Sequence, residues 1–505
     1  MVVRVLLPML RLVAVLLICA VVLPACPAWA QFGGGGGMAG GGGQMGGGQM
    51  GGGGMGGGQM GGGGMGGGQM GGGMGGGGFG SGVVIDAQGV LRTQVVADAQ
   101  LGRERLLAAR AALPGDLQKA APLRKVALSR LEAELARAVA TGRGVPDEIE
   151  KLAGLTRVQY VFVYPTADGM PGEIVLAGPA EPWVVDAFGR TRGLETGRPT
   201  LVLEDLAAAI RSFAPGHPQD RLIGCSIDPT QEGLARMQNF MRTTGRVNPN
   251  ASVDQIVAGM REALGTQKVS VQGVASTTHF AHVLVEADYR MKLIGIGLEP
   301  PPVTMTTWIE LASAGSVAAN ALQRWYFVPD YRCLRVADDD LAVELVGQGV
   351  KLCGADEVVT ADGRRLSATR ADKASTTFTQ TFTRKYPEIA ARNPVYAQLR
   401  SLVDLAVIAA WMQEHDAYGK AGWAAATLRD EQAYAIERLP PAAEAETAIH
   451  AVWKGNRLLT PIGGGVTLHP RMALDSPNLL LDEKGTVALA HEATKSLPAG
   501  RWWWD

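Results

Sequence analysis

Past residue 80 the apolar positions recur with two periods, and the alternation between them sketches the fold. Val83–Ile85 and Val90–Leu91 flank the polar turn Asp86–Gly89, the signature of a small hairpin. Leu123, Val126, Ala127, Leu131 and Leu135 recur at helical spacing over residues 120–140, and Gly142 ends the run. Val158–Tyr164 and Glu173–Ala177 read as strands, closed by Pro165 and by Gly178 with Pro179. Trp183–Val185 and Thr200–Val202 bracket a Gly- and Arg-rich turn region, and Asp205–Phe213 reads as a short helix. Leu222–Ile227 reads as a strand feeding a helix. Asp228 is its expected N-cap, Pro229 its first helical residue and Gln231 the closing member of a capping box. Leu234, Met237, Phe240 and Met241 supply its stripe. Ser252 and Gln255 open the next helix, and Gly265 ends it before a strand at Val269–Val274. Helices alternating with strands from 158 to 300 predict a sheet with helical cover.

The pattern changes after Pro300–Pro302. Trp325–Val328, Cys333–Val336, Leu341–Val346 and Val350–Leu352 read as short antiparallel strands. Residues 372–413 read as helical, with Val395, Leu399, Leu402, Leu405, Ala406, Ala409 and Met412 as the best stripe. The tail is rich in turns and short strands. The expected class is α+β, with mixed sheets under helical cover, preceded by a disordered Gly/Met-rich tract. The expected organisation is a mixed α/β domain at 81–300, an antiparallel β region at 301–360, a helical segment at 361–420 and a β-rich region at 421–505. Trp502–Trp504 is a large apolar load, expected either to dock on its own domain or to engage a partner or membrane interface.

Composition adds location before chemistry. Arg4 and Arg11 with the apolar run Leu12–Leu23 and the small residues Ala28 and Ala30 read as a signal peptide at 1–30, cleaved before Gln31. Leu23–Cys26 approximates a lipobox, so a lipid anchor at Cys26 is the alternative. Residues 31–80 hold 34 Gly in 50 residues, with Met every five positions from Met45 to Met70. So little apolar surface cannot offset the entropy of ordering, and a flexible linker is expected. Copper is the functional alternative there, because thioether sulfur suits Cu(I). Without Arg4 and Arg11 the balance is 45 basic to 48 acidic residues, which argues against nucleic acid as the main partner. No apolar run after residue 30 is long enough to cross a bilayer. Cys225, Cys333 and Cys353 allow at most one internal disulfide. Cys333 with Cys353 is the candidate pair, and Cys225 reads as a buried thiol.

The sharpest chemical constellation is His279, His282 and Glu286. A helix over 278–294 places Phe280, Val283, Leu284, Ala287, Met291 and Ile294 on one stripe and the three polar residues, with Arg290, on the adjacent face. Two imidazoles and a carboxylate so spaced can share a zinc ion and leave one position for water. The competing reading is a Glu286–Arg290 pair across one turn. A strand over 281–287 would instead send the two imidazoles to opposite faces. Asp338–Asp340 has oxygen ligands for Ca²⁺ but lacks EF-hand spacing, and His491 with Glu492 has Lys495 where a zincin needs its second His. Past residue 80 there is no G-x-S-x-G, Walker loop, G-x-G-x-x-G or C-x-x-C.

The phrases Gly224–Thr230, Val283–Lys292, Arg324–Tyr331, Leu341–Val350 and Asn393–Arg400 resemble a family of large exported planctomycete proteins, catalogued as a domain of unknown function. The resemblance spans most of 81–420. It implies a bacterial periplasm, envelope or secreted setting and brings no activity or catalytic residues. Two functions are therefore expected. One is a non-catalytic binding or scaffolding module on a flexible tether, with an envelope protein or wall material as partner. The other is an exported metal-dependent hydrolase centred on His279, His282 and Glu286.

Overall fold

The computed structural model describes the strand Gly78–Phe79 and residues 83–505, apart from 94–102, 168–170, 187–188, 219–220, 245–251, 314–320, 356, 360–364, 368–371, 451, 455–456 and 460–462. The signal segment, Cys26, the copper reading and the linker as far as residue 77 lie outside the described residues, while Gly78–Phe79, expected as the end of the flexible linker, form a strand held by pairing with Val83 and Val84.

The class is α+β, built on two large mixed sheets. In the nine-stranded sheet the order is Gly78–Phe79, Val83–Ile85, Val90–Thr93, Glu444–Ala445, Gln267–Gln272, Ile223–Pro229, Gly464–Leu468, Trp325–Pro329 and Val350–Gly354. In the seven-stranded sheet it is Leu480–Leu481, Leu334–Val336, Ala342–Leu345, Tyr160–Tyr164, Glu173–Ala180, Ala121–Ala127 and Trp503–Trp504. Both sheets draw strands from either side of Pro300, so the break in residue pattern there is crossed by strand pairing. The four short strands between 325 and 354 are antiparallel pairs as expected, but the pairs nest. Trp325–Pro329 joins Val350–Gly354 in one sheet, while Leu334–Val336 joins Ala342–Leu345 in the other. Cys353 lies in a strand of the first sheet and Cys333 just before a strand of the second, and the three described cysteines are buried, with none of them in a disulfide.

Two local expectations are corrected by non-local pairing. Residues 120–140 are a strand followed by a helix: Ala121–Ala127 pairs with Glu173–Ala180, and only Leu128–Thr141 is helical. Pro122 has no N–H for a ladder, and the register slips between Ala121 and Arg124, where it sits. The helix stops where the sequence placed its end, at Gly142 in the left-handed region. Asp228 and Pro229 remain in their strand, opposite Lys268 and Gln267. Thr230 caps the following helix instead, accepting from the Gly233 N–H at 3.0 Å, and Asp228 pairs with Arg324 at 3.1 Å.

Three helices carry the interior. α1 (Leu203–Ser212) and α2 (His279–Gly295) pack on each other and on α3 (Pro394–Glu414). The opposite side of α2 lies against Ile223–Pro229, Gly464–Leu468 and Trp325–Pro329 of the nine-stranded sheet. Contrary to the expectation of no sufficiently long apolar stretch after residue 30, α3 is, among the described residues, the one helix long and apolar enough to cross a membrane, because its apolar run continues past Arg400 and Asp404; it is enclosed by the fold. Pro394 at its first turn and Asn393 as N-cap set its start. The tryptophan tail docks at the edge of the seven-stranded sheet. Trp503 and Trp504 pair with Val126 and Lys125, and the fully buried Arg124 guanidinium binds Asp505 at 2.6 Å and lies 4.8 Å from the Trp503 ring centre.

Candidate functional site

α2 is a helix as the 278–294 stripe predicts, with Thr278 as its cap, accepting from the Ala281 N–H at 3.2 Å. Its polar residues are buried along with its apolar ones: His282, Glu286, Asp288, Arg290 and Lys292 are all inside the fold. A buried charge requires a partner or neutralisation, and this helix finds both. His279 Nδ1 lies 3.0 Å from each carboxylate oxygen of Asp205 on α1. Burial disfavours charge on this ring, yet the Asp205 carboxylate outweighs it and raises the His279 pKa to about 9. Both ring nitrogens then donate. Gln398 reaches Nε2 at 3.4 Å with its amide nitrogen, while its oxygen has no partner. We assign the Gln398 amide the reverse way round, so that its oxygen accepts from the imidazolium.

His282 is the opposite case. Burial lowers its pKa to about 4, so it is neutral, and its Nε2 donates to the Pro440 carbonyl at 2.8 Å. Glu286 is fully buried, and its two carboxylate oxygens both accept from Arg190 Nη2, at 2.7 and 2.6 Å. Arg290 reaches it at 3.4 Å across one turn, as the sequence suggested, and bonds more closely to Glu299 at 2.6 Å. On the other side of α2, facing the nine-stranded sheet, Asp288 and Lys292 pair at 2.9 Å, and Lys292 also donates to the Ile227 carbonyl. Burial raises the Asp288 pKa to about 6 against the pull of Lys292. Gly464 crosses close above this pair. A Cβ there would stand 2.4 Å from Lys292 Cε and 2.8 Å from Asp288 Oδ1.

The three predicted ligands thus share a helix face while their polar atoms turn to different elements: His279 to α1, His282 to the 440 segment, Glu286 to Arg190. Among the described residues no three His, Cys, Asp or Glu side chains converge as metal ligands do. The Asp338–Asp340 run is a turn, in which Asp339 accepts from the Leu341 N–H at 3.0 Å. His491 lies against Tyr164, with ring centres 4.6 Å apart. Asp205, Arg190, Glu299 and Gln398 were not singled out in the sequence. Asp205 and Gln398 lie 74 and 119 residues from His279, and no local period announces such pairs.

Beside the capped end of α2 opens a cleft of about 350 Å³. Ala208, Arg211 and Ser212 of α1 form one wall, Gly273–Thr278 the floor before α2, and Arg221, Ile436 and Glu437 complete the rim. Arg211 is anchored to Glu431 and to the Leu428 carbonyl. Arg221 braces on the Ser212 carbonyl at 3.2 Å, and Glu437 takes a 3.4 Å contact from the Thr277 hydroxyl. The cleft therefore offers fixed cationic and anionic groups, the composition of a recognition site for a polar ligand.

Residues 225–308 match a family described as Protein of unknown function (DUF1598). No curated protein and no solved structure is significantly similar to the chain. The matched stretch runs from Cys225 to Trp308. It contains all of α2 and the Gly273–Thr278 floor of the cleft, whereas Arg190, Asp205 and Arg221 lie before it.

Proposed function

We propose that the chain is an exported binding module that acts through recognition, and that the cleft at the capped end of α2 is where its ligand sits. One observation carries this reading: segments far apart in sequence meet to hold Arg221 and Glu437 around a solvent-open volume of about 350 Å³. The opposed charges suit a ligand with both an acidic and a basic group, as peptide segments and wall peptides have. Export is supported by the basic start, apolar run and small-residue cleavage pattern of residues 1–30.

Isothermal titration of the full chain with a zwitterionic tripeptide and with soluble wall peptides tests the recognition reading. Saturable binding is expected with at least one probe, weakened about tenfold or more in Arg221→Glu or Glu437→Lys. No binding to either probe, or binding unchanged in both variants, removes the cleft from consideration. Fractionation of producing cells tests export. The mature chain is expected outside the cytoplasm with its N-terminus at Gln31, and an uncut product in the cytosol is the contrary result.

A further inference from the structure

A second group of charges lies apart from α2 and the cleft, and unlike those it does not balance. Arg157 lies between a short helical turn and the strand Tyr160–Tyr164. Its Nε bonds to Asp404 Oδ2 at 2.8 Å and its Nη1 to the Gly347 carbonyl at 3.1 Å, while its buried Nη2 has no partner. Arg400, one turn before Asp404 on α3, makes no hydrogen bond or ion pair with any described residue, and its Nε is buried. The exposed Arg198 adds like charge within electrostatic reach of Arg400. Gly349, at φ +76°, marks the point of convergence. A Cβ there would stand 3.0 Å from Asp404 Oδ1, 3.4 Å from Arg400 Cγ and 3.9 Å from Arg157 Nη2.

We propose that Arg157 and Arg400, with Arg198 beside them, form a binding site for a phosphate-type dianion. Three guanidinium groups against the one carboxylate of Asp404 leave a local charge that a dianion matches. Planar N–H forks suit the geometry of a phosphate oxygen pair. The lone carboxylate is already spoken for: Arg157 holds it through Nε and leaves Nη2 unused. Burial, followed by the repulsion of Arg157, lowers the Arg400 pKa, so the empty arrangement carries an electrostatic cost that an oxyanion relieves. A side chain at Gly349 would press on Asp404 and Arg400 and would have to adopt a φ of +76°, a conformation that favours glycine.

Ligand-induced thermal stabilisation of the full chain, at matched ionic strength, reads this directly. The probes are inorganic phosphate and glycerol phosphate, with chloride as the control. The melting temperature is expected to climb with the logarithm of phosphate concentration and to stay flat in chloride. A response to glycerol phosphate alone assigns the site to a monoester, and a response to both assigns it to the free group as well. Arg400→Gln is expected to weaken the response about tenfold while leaving the unliganded protein at least as stable, because it removes an unpaired buried charge. Arg198→Gln changes an exposed side chain that does not support the fold, and it is expected to weaken the response in the same direction. Equal responses in the parent chain and both variants, or none above chloride, overturn the proposal.

Discussion

α2 and α3 cross in the same interior and are buried to a similar depth, yet they reach that state by different chemistry. α3 is enclosed by apolar side chains from Val395 to Met412, with Asp404 its one buried carboxylate. α2 takes His282, Glu286, Asp288, Arg290 and Lys292 into the core and settles each against a named partner. An apolar helix is held by area and shape, which tolerate repacking. A helix with buried ion pairs is held by particular partners, and loses much when one is withdrawn. The comparison separates what burial requires from what hydrophobicity supplies.

The sharpest way to break it is at Glu286. Glu286→Ala takes the carboxylate from Arg190 and one acceptor from Arg290, and is expected to cost about 3–5 kcal/mol by chemical denaturation. The double substitution Arg190→Met with Glu286→Leu is expected to recover most of that, since an apolar pair of similar volume avoids the desolvation of both charges. On α3, Leu402→Ala is expected to cost on the order of 3 kcal/mol through the lost transfer term and the cavity left behind. No second substitution on a neighbouring helix should rescue it to the same degree. If the double substitution on α2 is no better than the single one, partner specificity is the wrong account of that helix.

A pH scan sharpens the same contrast through α2 alone. His279 has a folded pKa of about 9 against an ordinary value of 6.5. Its contribution is therefore complete below about pH 6.5 and is lost as the pH rises through about 9, amounting to about 3 kcal/mol at most. His282 acts on the acid side. With a folded pKa of about 4, it leaves the unfolded chain the better proton acceptor, and stability falls as the pH drops from about 6.5 toward 4. His279→Asn is expected to flatten the alkaline limb and leave the acid limb in place. An unchanged alkaline limb in that variant would remove the Asp205 pairing from the account.

These residues also show where sequence reasoning stops. The α2 helix, its Thr278 start and its apolar stripe were legible because they repeat within a few residues. The hairpin at Val83–Thr93 and the helix stop at Gly142 were legible for the same reason. The burial of the polar face was not legible, because it depends on Arg190 and Asp205, brought in by other elements. Ala121–Ala127 was lost to a helical period for a related cause: its residues satisfy both patterns, and pairing with Glu173–Ala180 decides between them. The cleft was invisible because no single stretch of sequence contains it. The nesting of strands between 325 and 354 was equally hidden, since each pair is local in pattern but its sheet is chosen by distant neighbours.

The smallest expected effect lies at the helix starts and bears on how α2 and α3 are joined. Thr278 and Asn393 cap the two helices, and loss of either cap by substitution with Ala is expected to cost about 1 kcal/mol. The two caps are not equivalent. Asn393 Oδ1 accepts from the Val395 N–H at 3.3 Å and also faces Arg290 Nη1 of α2 at 3.4 Å. Asn393→Ala therefore withdraws a contact between the helices as well as a cap, while Thr278→Ala acts on its own helix and on the Ala275 carbonyl beside it. A double-mutant cycle between Asn393→Ala and Arg290→Met is expected to show coupling of about 0.5 kcal/mol or more, and one between Thr278→Ala and Arg290→Met close to none. Equal coupling in both cycles would mean that the charged face of α2 is felt diffusely through the core, without passing through the residue that starts α3.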